Sequence, residues 1–155
     1  MHPGKPEYLD LFRRIIRAEN GRFIIDRSLL DVSMGVHHAS FSKEVSDIIG
    51  PPRDKSGGDP KSVHENIAAS AQRALEEAGM SMVEFLRERT DSDLLVVSGG
   101  TALNCVMNGL FERNSGFSEV LPFPTPNDSG TSVGAAVAVH RKMYPETALK
   151  PLDTM

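Results

Sequence analysis

The run Leu94–Val97, four apolar residues without a polar break, ends in Ser98-Gly99-Gly100 and opens into TALNCVMNG, an amphipathic stretch carrying Asn104 and Asn108. No other feature restricts the fold as strongly. A short, continuously apolar strand is the type buried on both faces of a parallel sheet. Glycines where such a strand meets a helix let the backbone turn tightly and let another group come close. That group is either a ligand or another part of the protein.

The surrounding sequence alternates in the same way. A long helix is expected from Asp59-Pro60, with Asp a suitable N-cap and Pro in the first turn. Ile67, Ala71, Leu75, Ala78, Met82 and Leu86 form its apolar stripe, and Gly79 marks a point where it kinks or divides. Thr101–Arg113 reads as a helix on whose packing face Cys105 is a buried thiol. SEVLPF reads as a strand, and Gly130–Lys142 as a helix whose small residues permit close packing. Helix, strand, helix, strand, helix predicts an α/β fold with a short, mainly parallel sheet flanked by helices. Upstream, PEYLDLFRRIIRAENG has helical spacing stopped by Asn20-Gly21, and RFIID reads as a strand. Residues 27–39 stay ambiguous. Phe41–Ile49 reads as a short helix, and Gly50–Pro60, dense in Pro, Gly and charge, as a loop. The chain thus divides into a helix/strand and loop segment, 1–60, an α/β lobe, 61–145, and an irregular tail, 146–155. Two or three strands are few for a sheet, where about 4–6 are usual, so the sheet reads as incomplete.

With 155 residues the chain suits one domain with a real core. Its 17 basic and 21 acidic residues give a net charge of −4, and RRIIR at Arg13–Arg17 is the only basic cluster that stands out. That gives no electrostatic case for a nucleic-acid partner. The single cysteine, Cys105, forms no internal disulfide and fits a reducing compartment. The longest apolar run is far below the roughly 18 residues of a membrane span, and MHPGKPEYLD lacks a signal-peptide core. A soluble, cytoplasmic protein with no membrane partner is expected.

In open α/β sheets ligands sit beyond the carboxyl ends of the strands. Ser98-Gly99-Gly100 occupies that place after the first strand, where backbone amides could approach a phosphate or nucleoside. It matches neither the P-loop nor the dinucleotide glycine fingerprint, and local pattern alone leaves a purely structural turn equally open. After the second strand, PFPTPNDSG delivers Asn127-Asp128-Ser129-Gly130 to a helix start. Locally Asp128 is more readily an N-cap than a carboxylate for a hard cation. His37 and His38 are adjacent, share no helix face and have no third ligand at useful spacing, so a surface loop is the simpler reading. Nothing near Cys105 marks it as a nucleophile.

LLVVSGGTALNCVMNG followed by FSEVLPFPTPNDSGTSVGAAVAV resembles the nodulation and antibiotic O-carbamoyltransferase family, in the order Gly-Gly, Ala-Leu-Asn-Cys, Asn-Gly, Pro, Asp-x-Gly and Gly-Ala-Ala. GKPEYLDLFRRI, GPPR and ENIAASAQRALEE extend the resemblance to about residues 4–145. The resemblance implies part of an actin-like ATPase (ribonuclease H-like) lobe that holds ATP. It places Gly99 and Gly100 on the nucleotide-facing turn, Asn104 and Ser129 beside the nucleotide, and Asp128 on a catalytic divalent metal, iron in most of the family. Thr101 stands where the family usually has valine, and Asn127-Asp128-Ser129 replaces Gly-Asp-Ala. The resemblance also implies that the remaining metal ligands, two histidines four residues apart and another aspartate, precede residue 1. A carbamoyl phosphate domain would follow Met155, so the chain reads as an excised piece of a longer enzyme.

The expected activity is that of an ATP-dependent O-carbamoyltransferase. It moves a carbamoyl group from carbamoyl phosphate, through carbamoyl-adenylate, to the hydroxyl of a small-molecule acceptor. The 155 residues alone are expected to be inactive and to form a homo-oligomer through exposed apolar surface. No residue stands out as a general base, so the catalytic residues stay unassigned. Another actin-like ATPase, a sugar kinase or a tRNA threonylcarbamoyl transferase relative, and a non-catalytic binding remnant are the alternatives.

Overall fold

The structure is a computed structural model that describes residues 4–33, 40–51 and 61–148. Helix α1 (Leu9–Ile15) runs directly into strand β1 (Ile16–Glu19), which turns into β2 (Arg22–Ile25). The two residues of that turn, Asn20 and Gly21, have φ of 51° and 71°. Successive positive φ values define the type I′ hairpin, for which Asn-Gly is the favoured pair. The dipeptide expected to stop a helix therefore joins two antiparallel strands, with Ile16 opposite Ile25 and Glu19 opposite Arg22. The helix consequently ends earlier than its apolar spacing predicts. The β-branched pair Ile15-Ile16 sits at the change and favours the strand over continued helix.

A 3₁₀ turn (Arg27–Leu29), capped by Asp26 accepting from Ser28 N–H, leads into β3 (Leu30–Asp31), which pairs antiparallel with β4 (Ser40–Phe41). Helix α2 (Lys43–Ile49) starts where Ser42 Oγ accepts from Val45 N–H and ends at Gly50, close to expectation. His37, His38 and most of the expected Gly50–Pro60 loop, with its Asp59-Pro60, lie outside the described residues.

Helix α3 (Ser62–Arg87) is 26 residues long and does not divide at Gly79. A Cβ at position 79 would lie 3.0 Å from Phe111 Cζ and 3.2 Å from Met107 Sδ. The missing side chain thus admits a neighbouring helix rather than bending its own. The buried residues of α3 are Ser70, Ala74, Ala78 and Val83, whereas Leu86 of the expected stripe is 47% exposed. A single stripe fails because α3 serves two cores. Ile67, Ala71 and Ala74 pack with Leu11, Phe12, Ile15, Leu29 and Val45. Farther along, Leu75, Met80 and Val83 pack with Leu95, Met107, Phe111 and Phe117. Ser70 is fully buried yet satisfied, accepting from Tyr8 N–H at 3.0 Å and donating to Asn66 O at 2.6 Å.

Strand β5 (Leu94–Val97) is followed by a 3₁₀ turn (Gly100–Leu103), helix α4 (Cys105–Asn114), strand β6 (Glu119–Pro122) and helix α5 (Gly130–Met143). β5 and β6 are parallel, Leu95 lying beside Val120 and Val96 beside Leu121. The fold is α/β as expected, but not mainly parallel: among the described residues one two-stranded sheet is parallel and two are antiparallel. The hairpin chemistry of the first half supplies the antiparallel pairs.

The structure corrects other expectations. β5 is buried on one face only, since Leu95 is buried while Leu94 and Val96 are exposed. α4 starts at Cys105 rather than residue 101 because Asn104 breaks the run and caps the helix after it. That puts Cys105 at an exposed helix start instead of on a packing face. None of α5 is buried, and its Gly134, Ala135, Ala136 and Ala138 are exposed.

Candidate functional site at the carboxyl end of the parallel strands

Two backbone hydrogen bonds extend the β5–β6 ladder beyond its last pair. Phe123 N–H donates to Val97 O at 2.8 Å, and Gly99 N–H donates to Pro126 O at 2.7 Å. The glycine turn after β5 and the proline-rich loop after β6 are therefore fastened side by side. Pro126 is buried at the junction, and its neighbours Asn127, Asp128 and Ser129 are exposed. Fixed prolyl φ angles restrict the loop that presents these three.

Gly99 has φ 94° and ψ 164°, a region that only glycine enters without strain. A Cβ built on Gly99 or on Gly100 meets no atom within 4 Å. No part of the described chain fills the space in front of these two residues. Their backbone is open to approach from outside, and Gly100 and Thr101 begin the 3₁₀ turn, where first-turn amides lack intrahelical acceptors.

The turn is backed by amide side chains. Asn104 N–H closes the 3₁₀ turn on Thr101 O at 3.0 Å, and Asn104 Oδ1 accepts from Met107 N–H at 3.0 Å, capping α4. Asn104 also pairs with Gln72 of α3: Asn104 Nδ2 donates to Gln72 Oε1 at 2.8 Å, and Gln72 Nε2 donates to Asn104 Oδ1 at 3.3 Å. Asn108 Nδ2 donates to Ala102 O at 2.7 Å, while its Oδ1 is buried without a partner. Gln72 does not stand out in the sequence, and Asn108 is noticed there without a role. The only available signal is a polar amide on an otherwise packed helix, which is weak by itself.

On the other loop, Asn127 Oδ1 accepts from both the backbone N–H and the hydroxyl of Ser129. This is an Asx turn. Ser129 occupies the N-cap position of α5 without a side-chain cap bond. The capping role considered for Asp128 is therefore not what its side chain does: the oxygen that accepts locally is that of Asn127. Asp128 is exposed. Among the described residues, no three His, Cys, Asp or Glu side chains gather closely enough to hold a metal ion. Asp128 is thus at most one ligand, and the described chain does not by itself fit a metal.

Two clefts of about 300 Å³ flank α3, one lined by Arg13, Arg17 and Glu77, the other by Arg73, Glu76 and Glu84. Arg13 in the first holds Glu77 bidentately at 2.8 and 2.9 Å, and Arg73 in the second faces Glu76 and Glu77 at 3.6 and 3.3 Å. These arginines are already neutralised within the fold. The Arg13 guanidinium keeps the Glu77 carboxyl below its ordinary range, with burial opposing it. Hydrogen bonds from Ser28 and Ser33 lower Asp26 and Asp31 in the same way. All these groups lie outside the two loops.

A family model described as carbamoyltransferase N-terminus matches residues 4–137, which include both loops and the start of α5. The chain belongs to the carbamoyltransferase N-terminal family. An uncharacterized protein of Synechocystis sp. is 30% identical over 98% of this chain and 25% of its own length. Nodulation protein NolNO of Sinorhizobium fredii is 31% identical over 52% of this chain and 12% of its own. The 3'-hydroxymethylcephem-O-carbamoyltransferase of Amycolatopsis lactamdurans is 39% identical over 33% of this chain and 10% of its own. The chain spans a quarter or less of each of these relatives. No described helix is long and apolar enough to cross a membrane.

Proposed function

We propose that the chain is the nucleotide-facing part of an ATP-dependent O-carbamoyltransferase, one that carries a carbamoyl group from carbamoyl phosphate, through carbamoyl-adenylate, to a small-molecule hydroxyl. The observation that carries this reading is the fastened pair of loops at the carboxyl end of β5 and β6, with open space in front of Gly99 and Gly100. A substrate phosphate or ribose can come against backbone here, where any side chain would stand in its way. Gly99 and Gly100 line the approach, Ser129 faces it from the second loop, and Asn104 stands behind the turn.

In this reading Asp128, exposed on the loop fastened to this turn, would supply one carboxylate to a divalent metal, iron. The metal's remaining ligands would come from outside the described residues, and it would supply charge neutralisation. The chain's own contribution is orientation of the substrate on a backbone that is already rigid before binding.

Gly100→Val tests the reading. The chain has room for a side chain at 100, so the fold is expected to persist, with stability changed by about 0.5 kcal/mol or less. ATP binding, measured by equilibrium dialysis with labelled nucleotide, is expected to be lost. Unchanged ATP affinity in a folded Gly100→Val variant overturns the assignment of the turn.

A second reading, a non-catalytic module that binds a partner, draws on the exposed Val96, Leu103, Val106 and Val139. It requires that the wild-type chain bind no ATP.

A further inference from the structure

We infer that Gln72 is a positioning residue for the glycine turn, acting through Asn104. The inference rests on the nucleotide reading of that turn and adds the residue that holds it in shape.

Asn104 is where three local structures meet. Its backbone N–H ends the 3₁₀ turn that starts at Gly100, its backbone O accepts from Asn108 N–H, and its Oδ1 caps α4. Its φ and ψ, −77° and 92°, are those of an N-cap residue and belong to neither helix. A residue at such a junction has one helical hydrogen bond on each side and a non-helical φ/ψ between them, so its side-chain bonds help to hold the angle between turn and helix.

Those side-chain bonds are nearly used up. Both bonds of the reciprocal Asn104–Gln72 amide pair are part-buried, and Gln72 Nε2 also donates to Glu76 Oε1 at 2.9 Å. Glu76 is only 13% exposed and faces Arg73 at 3.6 Å. Gln72 is therefore held on its own helix while it holds Asn104. Two amides facing each other fit only one relative orientation, because each must donate and accept at once. This anchors the turn to α3, the longest element of the fold. Asn104 then serves the nucleotide through the backbone it positions, with its side chain already committed to protein partners.

Gln72→Leu removes the amide and keeps similar bulk. The measurements are backbone hydrogen exchange of the full 155-residue chain, ATP dissociation constant, and melting temperature. Exchange at Ala102, Asn104 and Met107 is expected to rise about tenfold, on the order of one net hydrogen bond, while the α3 interior and β5 keep wild-type rates. ATP affinity is expected to fall about tenfold in parallel. Glu76→Gln, which can still accept from Gln72, is expected to leave both readouts near wild type.

Unchanged exchange at the turn in Gln72→Leu overturns the inference. So does faster exchange spread evenly over α3 and α4, which marks Gln72 as ordinary packing. Should the wild-type chain bind no ATP, the nucleotide reading falls. The inference as stated falls with it, even where exchange upholds the amide pair.

Discussion

Asp128 lies one residue before the N-cap of α5 with its carboxylate exposed. The neighbouring Asn127 supplies the local acceptor and Ser129 takes the N-cap position, so the carboxylate is not used as a cap. In a longer polypeptide that carries the family's remaining metal ligands, Asp128→Asn is expected to lower bound metal about tenfold or more. Metal analysis of the purified variant measures this, with unchanged circular dichroism as the check on folding. Wild-type metal content removes Asp128 from the ligand set. The identity of this residue as a candidate was legible in the sequence, as was the Gly99-Gly100 turn, because both come after strands that end in turn-forming residues. What the sequence could not supply was the competition for hydrogen bonds. Whether Asp128 or Asn127 accepts from the next amides depends on backbone angles that neither residue type dictates.

Elements were legible where one signal acted alone. α2 and β6 came out near their expected limits because a serine cap or a Pro-bounded apolar run had no rival. The helix from residue 8 failed where two signals competed, apolar spacing against an Asn-Gly turn, and the hairpin prevailed. α3 was legible in extent and, through Ile67, Ala71, Leu75 and Ala78, in much of its packed face, but Leu86 is exposed and Ser70, Ala74 and Val83 are buried outside the expected stripe. Gly79 shows the packing at close range. Gly79→Leu is expected to destabilise by about 1–3 kcal/mol by overpacking, more than the gain of about 1 kcal/mol in helix propensity. Urea unfolding measures this, and a stabilised variant would mean that α4 is not seated against α3.

The α1–α3 link predicts a pH effect. Glu77 titrates below its ordinary value because it is held by Arg13. The pair's contribution is therefore present above the ordinary carboxyl range and is lost as pH falls below it. Glu77→Gln is expected to lose less stability than wild type between pH 7 and pH 3. Parallel acid profiles for the two proteins exclude the link as a source of acid sensitivity.

Taken whole, the molecule has one well-covered side of its parallel pair and one bare side. Leu95 faces the core, so Leu94 and Val96 face away from it, with Leu121 beside Val96. Val133, Val137 and Met143 of α5 are exposed as well. Exposed apolar side chains on a two-stranded sheet favour association. A dimer or larger species is expected by sedimentation at tens of micromolar, a range suited to weak contacts, and Val96→Lys is expected to shift it toward monomer. A monomeric wild-type chain counts against this. The bare face was only half legible. The sequence showed too few strands, but its apolar run at Leu94–Val97 looked the same whether one face or two were covered.

The double duty of α3 also sets an order of events during synthesis. Residues 9–25 leave the ribosome ahead of α3, yet their core needs Ile67, Ala71 and Ala74 of that helix. The second core joins α3 to segments that lie close after it in sequence, so its loop closures are short. The α1–β2 region must therefore wait, with Leu11, Phe12 and Ile15 uncovered, until the long helix has emerged. A chaperone that binds apolar segments of nascent chains has its opportunity there, in the interval before α3 is complete.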